Sequence, residues 1–182
     1  VPLISRHGAD WFRALGAPDR PGTLLVTVTG SVRRPGVYEV PSGLALVEII
    51  DVLAGGADDG QPVQAVLPGG CFTGWISGGA VRGGIRLDDA DLAKHGAGVG
   101  AGALMVVSEG VCGLQQAARL QRFFADESVR QCGPCLHGTL AMADAFERIT
   151  RGQPQADDLR RIERWSTATL PVRGACGHLD GA

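Results

Sequence analysis

The sequence predicts an α+β chain: a small mixed sheet crossed by one helix, followed by a short α-helical bundle. Three observations carry this. Up to Gly113, runs of strand formers alternate with turns rich in Gly and Pro; beyond it, apolar residues recur at helical spacing. Glycine changes at the same place, with 22 of the 28 glycines in residues 1–113 and 6 in residues 114–182. Val, Leu, Ile and Phe make up about a quarter of the chain, above the ~20% below which chains tend to stay disordered. The glycine excess, about twice the usual ~7%, is therefore assigned to turns rather than to low complexity.

Taken in order, Leu24–Thr29 is rich in strand formers, Pro35-Gly36 marks a turn, and Val37–Val40 reads as the returning strand of a hairpin. Leu46, Ile49, Ile50 and Leu53 lie at helical spacing after Pro41-Ser42-Gly43, and Gly55-Gly56 is predicted to end that helix. Val63–Leu67, Ile85–Leu87 and Leu104–Val107 read as further short strands. The run Gly96–Gly102 leads into a strand rather than opening a helix, so it is read as a turn and not as a dinucleotide fingerprint.

Beyond Gly113, three apolar stripes predict three helices. The first is Leu114, Ala117, Ala118, Leu120, Phe123 and Phe124. The second is Leu136, Leu140, Ala143, Phe146 and Ile149, and the third is Leu159, Ile162, Trp165 and Thr169. Asp157 and Asp158 fall where negative charge suits a helix start. The predicted divisions are 1–19, 20–108 and 109–182.

Several functional classes are set aside. A formal net charge of -2 gives no reason to expect nucleic acid or an anionic membrane as partner. No stretch approaches ~18 apolar residues, so no direct membrane insertion is expected. The start of the chain does not read as a signal peptide, which with the thiol usage implies a cytoplasmic location. Five cysteines are too few for a disulfide scaffold at this length.

The strongest local signal is Glu127-Ser128-Val129-Arg130-Gln131-Cys132-Gly133-Pro134-Cys135-Leu136-His137-Gly138. Two cysteines three apart can aim both sulfurs at one centre, for a metal, for a thiol–disulfide pair or simply for packing. Thioredoxin-like chemistry needs a strand leading in within a βαβ unit; here an amphipathic helix precedes, and no Trp precedes Cys132. A third sulfur, Cys176, lies past the third helix, where a bundle could return it to the pair. Cys71 and Cys112 are expected to be buried as small hydrophobes. Arg33-Arg34 and Arg160-Arg161 are expected to be solvated faces, and His137 and His178 solvated or packed side chains, each also a candidate nitrogen ligand.

In combination these segments resemble the C-terminal half of the NADH- and flavin-binding subunit of NADH:quinone oxidoreductase (respiratory complex I) and its relatives in NAD-linked hydrogenases and formate dehydrogenases. His7–Gly16 looks like the end of the flavin domain. Gly30–Pro41 looks like the opening hairpin of the family's SLBB (soluble ligand-binding β-grasp) domain, and Gly69-Gly70 and Trp75–Gly79 like its later turns. Phe123–Thr139 resembles the iron–sulfur segment and Ala175–Ala182 the segment with the last ligand.

The resemblance implies an SLBB-like β-grasp domain followed by a helical iron–sulfur domain, relaying electrons between flavin and other subunits of an NADH dehydrogenase-like complex. It implies a [4Fe–4S] cluster held by a Cys-x2-Cys-x2-Cys run and one distant Cys. Cys132, Cys135 and Cys176 match three of those ligands, while the first falls on Val129, which cannot ligate. FMN and NADH are implied only for the domain upstream of the matched region, so the 182 residues alone are not expected to oxidise NADH. With one thiolate missing, four readings stand: a three-iron cluster, a four-iron cluster with an exogenous or histidine fourth ligand, another metal, or none. Cys132, Cys135, Cys176 and His178 would make a Cys3His zinc set. A non-redox scaffold of the same fold is the rival class.

Overall fold

A computed structural model describes residues 1–181; Ala182, the last residue of the segment matched to the final ligand, lies outside the described residues. The chain divides into two compact units, Val1–Val111 and Cys112–Ala182.

The first unit begins with two short helices, α1 (Pro2–His7) and α2 (Ala9–Arg13), and a small antiparallel ribbon of β1 (Gly16–Ala17) and β2 (Arg20–Pro21). Its body is a five-stranded mixed sheet. β3 (Thr23–Gly30) and β4 (Gly36–Pro41) form the expected antiparallel hairpin, with Val26 opposite Tyr38. β3 also pairs in parallel with β7 (Ala103–Ser108), which pairs antiparallel with β5 (Val63–Leu67); β6 (Ile76–Ser77) closes the far edge, giving the order β4-β3-β7-β5-β6. In β3, Val26 and Val28 point into the core and Leu25, Thr27 and Thr29 away from it, the period-2 alternation of a sheet with one packed face.

Against that face lies the helical run ending in Glu48–Leu53, with Leu46, Ile49 and Ile50 buried among Val26, Val40, Leu104 and Val106. Its last turns are wide, with the Ala54 N–H bonding to the Ile49 carbonyl. Gly55 and Gly56 follow with φ of 78° and 74°, the left-handed geometry the sequence anticipated after a helix.

Arg33 and Arg34 are exposed, as expected of a solvated face. They also bond locally: Arg33 Nε donates to the Ala57 carbonyl and Arg34 Nη2 to the Val52 carbonyl, 3.1 and 2.6 Å away. Arg34 thereby caps the last turn of the run, where carbonyls lack helical donors. Ile85–Leu87 differs from expectation: instead of joining the sheet it makes one isolated bridge, Arg86 to Ala45, bonding to the loop before the helix. Short helices α3 (Gly78–Arg82) and α4 (Asp89–Ala93) carry the chain between β6 and β7.

The Gly96–Gly102 turn depends on missing side chains. A Cβ on Gly100 would stand 2.3 Å from the Gly69 carbonyl oxygen, and one on Gly69 would stand 2.3 Å from that of Gly98. The two glycine turns thus touch backbone to backbone, joined by the Ala101 N–H to the Gly69 carbonyl.

The second unit holds α5 (Gly113–Asp126), a wide turn Pro134–Gly138 running into α6 (Thr139–Thr150), α7 (Asp158–Arg164) with a wide turn Trp165–Thr169, and a short α8 (His178–Gly181). Its core gathers Met142, Leu170 and Leu179, with Phe146, Ile162 and Trp165 against them. The predicted stripes are only partly buried: Phe124, Ala118 and Ala143 are inside, while Leu114, Phe123, Leu136, Leu140 and Leu159 are exposed. In the second stripe, the wide i→i+5 turn at Pro134–Gly138 shifts the helical phase, so Leu136 and Leu140 slide off the packed face. Asp158 is fully buried at the start of α7, accepting from Arg148 Nε and Nη2 at 3.0 and 2.6 Å and from the Gln155 N–H.

Candidate metal centre

Within the second unit, α5 ends at Glu127, whose N–H bonds to the Phe123 carbonyl, and the chain leaves the helix at Ser128. Arg130 takes φ of 56°, a conformation uncommon for a non-glycine residue. That turn carries Val129 outward, 67% exposed. It brings the Arg130 N–H to within 3.2 Å of Ser128 Oγ. Pro134 then opens the wide turn, with Cys132 before it and Cys135 within it.

Cys135 is buried and Cys132 half-buried. Ser128 Oγ and Cys135 Sγ share a hydrogen bond at 2.6 Å, and Thr139 Oγ1 donates to the Cys135 carbonyl. The Cys132 sulfur accepts from the backbone N–H of Ala175 first, then from that of Cys135, and lies within hydrogen-bond reach of the Cys135 thiol. These donors outweigh burial and hold the Cys132 thiol below its ordinary pKa, the direction that metal ligation requires.

The Ala175 contact joins two distant parts of the sequence, for Cys176 is the next residue. Its segment is pinned twice more. The Val172 N–H bonds to Asp180 Oδ1 at 2.6 Å, and His178 Nε2 lies 2.8 Å from the Phe124 carbonyl at the end of α5, with its ring edge-on to the Phe124 ring. A carbonyl only accepts, so Nε2 carries the proton in this bond. Cys176 itself is exposed.

The sequence-predicted residues thus divide. Cys132 and Cys135 flank the Gly133-Pro134 turn, and the segment bearing Cys176 is held to the end of α5 through His178, with the Ala175 N–H acting on the Cys132 thiol. Among the described residues, no three His, Cys, Asp or Glu side chains are grouped closely enough to hold a metal ion. Completing a three-sulfur set requires the exposed Cys176 side chain to turn towards the pair. As a donor set, three thiols suit three corners of an iron–sulfur cubane, and Val129 offers nothing to the fourth. The expected burial of the other two cysteines is corrected: Cys112 is exposed as the residue preceding α5, and Cys71 is half-buried in a turn. Ser128 escaped sequence reasoning; its signal was its position seven residues before Cys135, which means nothing until the turn at Arg130 is known.

Comparison with known proteins agrees with the fold. Residues 105–182 match the NADH-ubiquinone oxidoreductase-F iron-sulfur binding region, and residues 25–70 match the SLBB domain. The chain is 35% identical over 163 residues to the F 2 subunit of the NADH-quinone oxidoreductase of Rhizobium meliloti, covering 90% of this chain and 38% of that protein. It is 32% identical over 182 residues to the F subunit of the NADH-quinone oxidoreductase of Mycobacterium bovis, covering all of this chain and 40% of that one. A crystal structure of an NAD+-reducing [NiFe]-hydrogenase in the H2-reduced state superposes with a TM-score of 0.81 at 31% identity, over 99% of this chain and 30% of that one.

The chain is therefore an α+β protein carrying an SLBB domain and an iron–sulfur binding region of the oxidoreductase-F type. It resembles a part of the F subunits of NADH-quinone oxidoreductases and of an NAD+-reducing hydrogenase. It spans about two fifths of the length of the curated relatives it matches.

Proposed function

We propose that this chain is the electron-relay portion of an NADH dehydrogenase-like flavoprotein, with Cys132, Cys135 and Cys176 as the thiolate ligands of an iron–sulfur cluster. The observation that carries this is that all three cysteines fall in the region matching the iron-sulfur binding model, with the segment of Cys176 held to the end of α5 by the His178–Phe124 hydrogen bond. When bound, the cluster supplies reversible one-electron transfer at a potential set by its hydrogen bonds and exposure. The chain's own residues do the rest. Backbone N–H groups of Ala175 and Cys135 orient the Cys132 sulfur, and Ser128 orients that of Cys135. The Phe124–His178 contact fixes the C-terminal segment against α5.

The donor is a reduced flavin and the acceptor another subunit of such a complex, the SLBB-like part at 20–108 and the helical part at 109–182 forming separate modules of the relay. No helix among the described residues is long and apolar enough to cross a membrane, so association with one would run through partner subunits.

The test is anaerobic purification with iron and acid-labile sulfide assays. Brown protein with charge-transfer absorption supports the relay. Colourless protein with zinc supports the Cys3His reading. Colourless metal-free protein supports the scaffold reading, which the exposed, non-ligating Val129 favours.

A further inference from the structure

Ser128 lies against a proposed ligand without being one. It is 9% exposed, beside Cys135 at 3%, so little water competes for the contact between them. Its hydroxyl has one proton and two lone pairs. The Arg130 N–H donates to Oγ at 3.2 Å, which uses a lone pair and fixes the oxygen. The proton has two acceptors in range: Cys135 Sγ at 2.6 Å and the Cys135 carbonyl at 3.4 Å. That carbonyl already accepts from Thr139 Oγ1 at 2.8 Å, so the sulfur is the nearer and the less satisfied of the two. In the free thiol either atom can donate. A ligand sulfur has no proton to give, so in the loaded site only Ser128 donates. The left-handed turn at Arg130 sends Val129 to solvent while Ser128 stays buried. A turn that offers no fourth thiolate thus offers a hydroxyl to a neighbouring ligand.

We infer that Ser128 raises the reduction potential of the iron–sulfur site by donating a hydrogen bond to the Cys135 sulfur. This rests on the ligation by Cys135 proposed above. Reduction adds one electron and makes the ligand sulfurs more negative. A donor aimed at such a sulfur favours the reduced state over the oxidised one, so reduction becomes easier. The buried, weakly polar surroundings of the two side chains strengthen the effect. The proton stays on Ser128 Oγ throughout, so none accompanies the electron. Ser128 acts through Cys135 and is a positioning residue.

The experiment reconstitutes the full 182-residue chain anaerobically with iron and sulfide. It is then titrated with dithionite in the presence of redox mediators, following the charge-transfer absorption. Wild type, Ser128→Ala and Ser128→Thr are compared, with folding checked by circular dichroism and iron counted per chain. Ser128→Ala is expected to hold as much iron as wild type and to be reduced about tenfold less readily. For one electron that is a potential lower by ~59 mV, on the scale of one hydrogen bond to a charged group. Ser128→Thr keeps the hydroxyl and is expected to keep the wild-type potential. A merely structural serine would change iron content or unfolding and leave the potential of the loaded protein alone. Equal potentials in loaded wild type and Ser128→Ala, or a lowered potential in Ser128→Thr, would overturn the inference and leave the relay reading standing. A Ser128→Ala chain that folds but holds no iron would also overturn it, because Ser128 would then hold the cluster rather than tune it. A wild type that takes up no iron overturns the relay reading, and this inference with it.

Discussion

Ser128 and Val129 are neighbours in sequence with opposite surroundings: one hydroxyl faces a buried sulfur, while the next side chain faces water. The left-handed turn at Arg130 produces this split, and no periodicity announces it. The missing thiolate at Val129 was legible only through the family resemblance, whereas the role of Ser128 was not legible at all. Because Val129 is exposed, Val129→Cys should be accommodated without repacking and should raise iron incorporation, read as iron per chain after anaerobic reconstitution. Asp158 carries a second prediction at this scale. The Arg148 guanidinium holds its carboxyl at about 2, below the ordinary 3.8, so the charged form is favoured in the fold. The pair's stabilisation is then complete above roughly pH 4 and is lost as pH falls towards about 2. Acid titration of thermal stability should show that loss in wild type and a smaller one in Asp158→Asn.

Among elements, strands were read more faithfully than helices. The alternation in β3 survives because a sheet residue keeps its face whatever the neighbouring strands do. The second bundle stripe did not survive intact, because the wide turn at Pro134–Gly138 changes the repeat across Leu136 and Leu140. Ile85–Leu87 failed as a strand because its partner is a loop, and strand propensity says only that a segment tolerates extended pairing. α5 is anchored by Phe124, whose ring is 2% exposed and whose carbonyl meets His178. Phe124→Ala should cost about 3–5 kcal/mol of stability in denaturant unfolding and release the C-terminal segment. Gly100→Ala should destabilise the first unit, since its Cβ would meet the Gly69 carbonyl; a wild-type denaturation midpoint would contradict that close approach.

At the scale of the molecule, the α+β class and the change of character near Gly113 were legible because patterning and glycine content shift together there. The two compact units meet in sequence at Val111 and Cys112. The iron–sulfur resemblance was legible from the order of matching segments along the chain, since the cysteine spacing by itself left metal, thiol–disulfide and packing uses open. The tie between Ala175 and Cys132 was not, since a long stretch of helix and turn separates them and only packing returns the chain. The relay reading stands on Cys176 completing a three-thiolate cluster site with Cys132 and Cys135. The most direct test is the iron and acid-labile sulfide content of anaerobically reconstituted wild type against Cys176→Ser, with folding checked by circular dichroism. The expected outcome is a brown wild type holding iron and sulfide near cluster stoichiometry, and a folded Cys176→Ser variant that loses both. Equal iron in the two proteins, or a wild type that binds none, would contradict it.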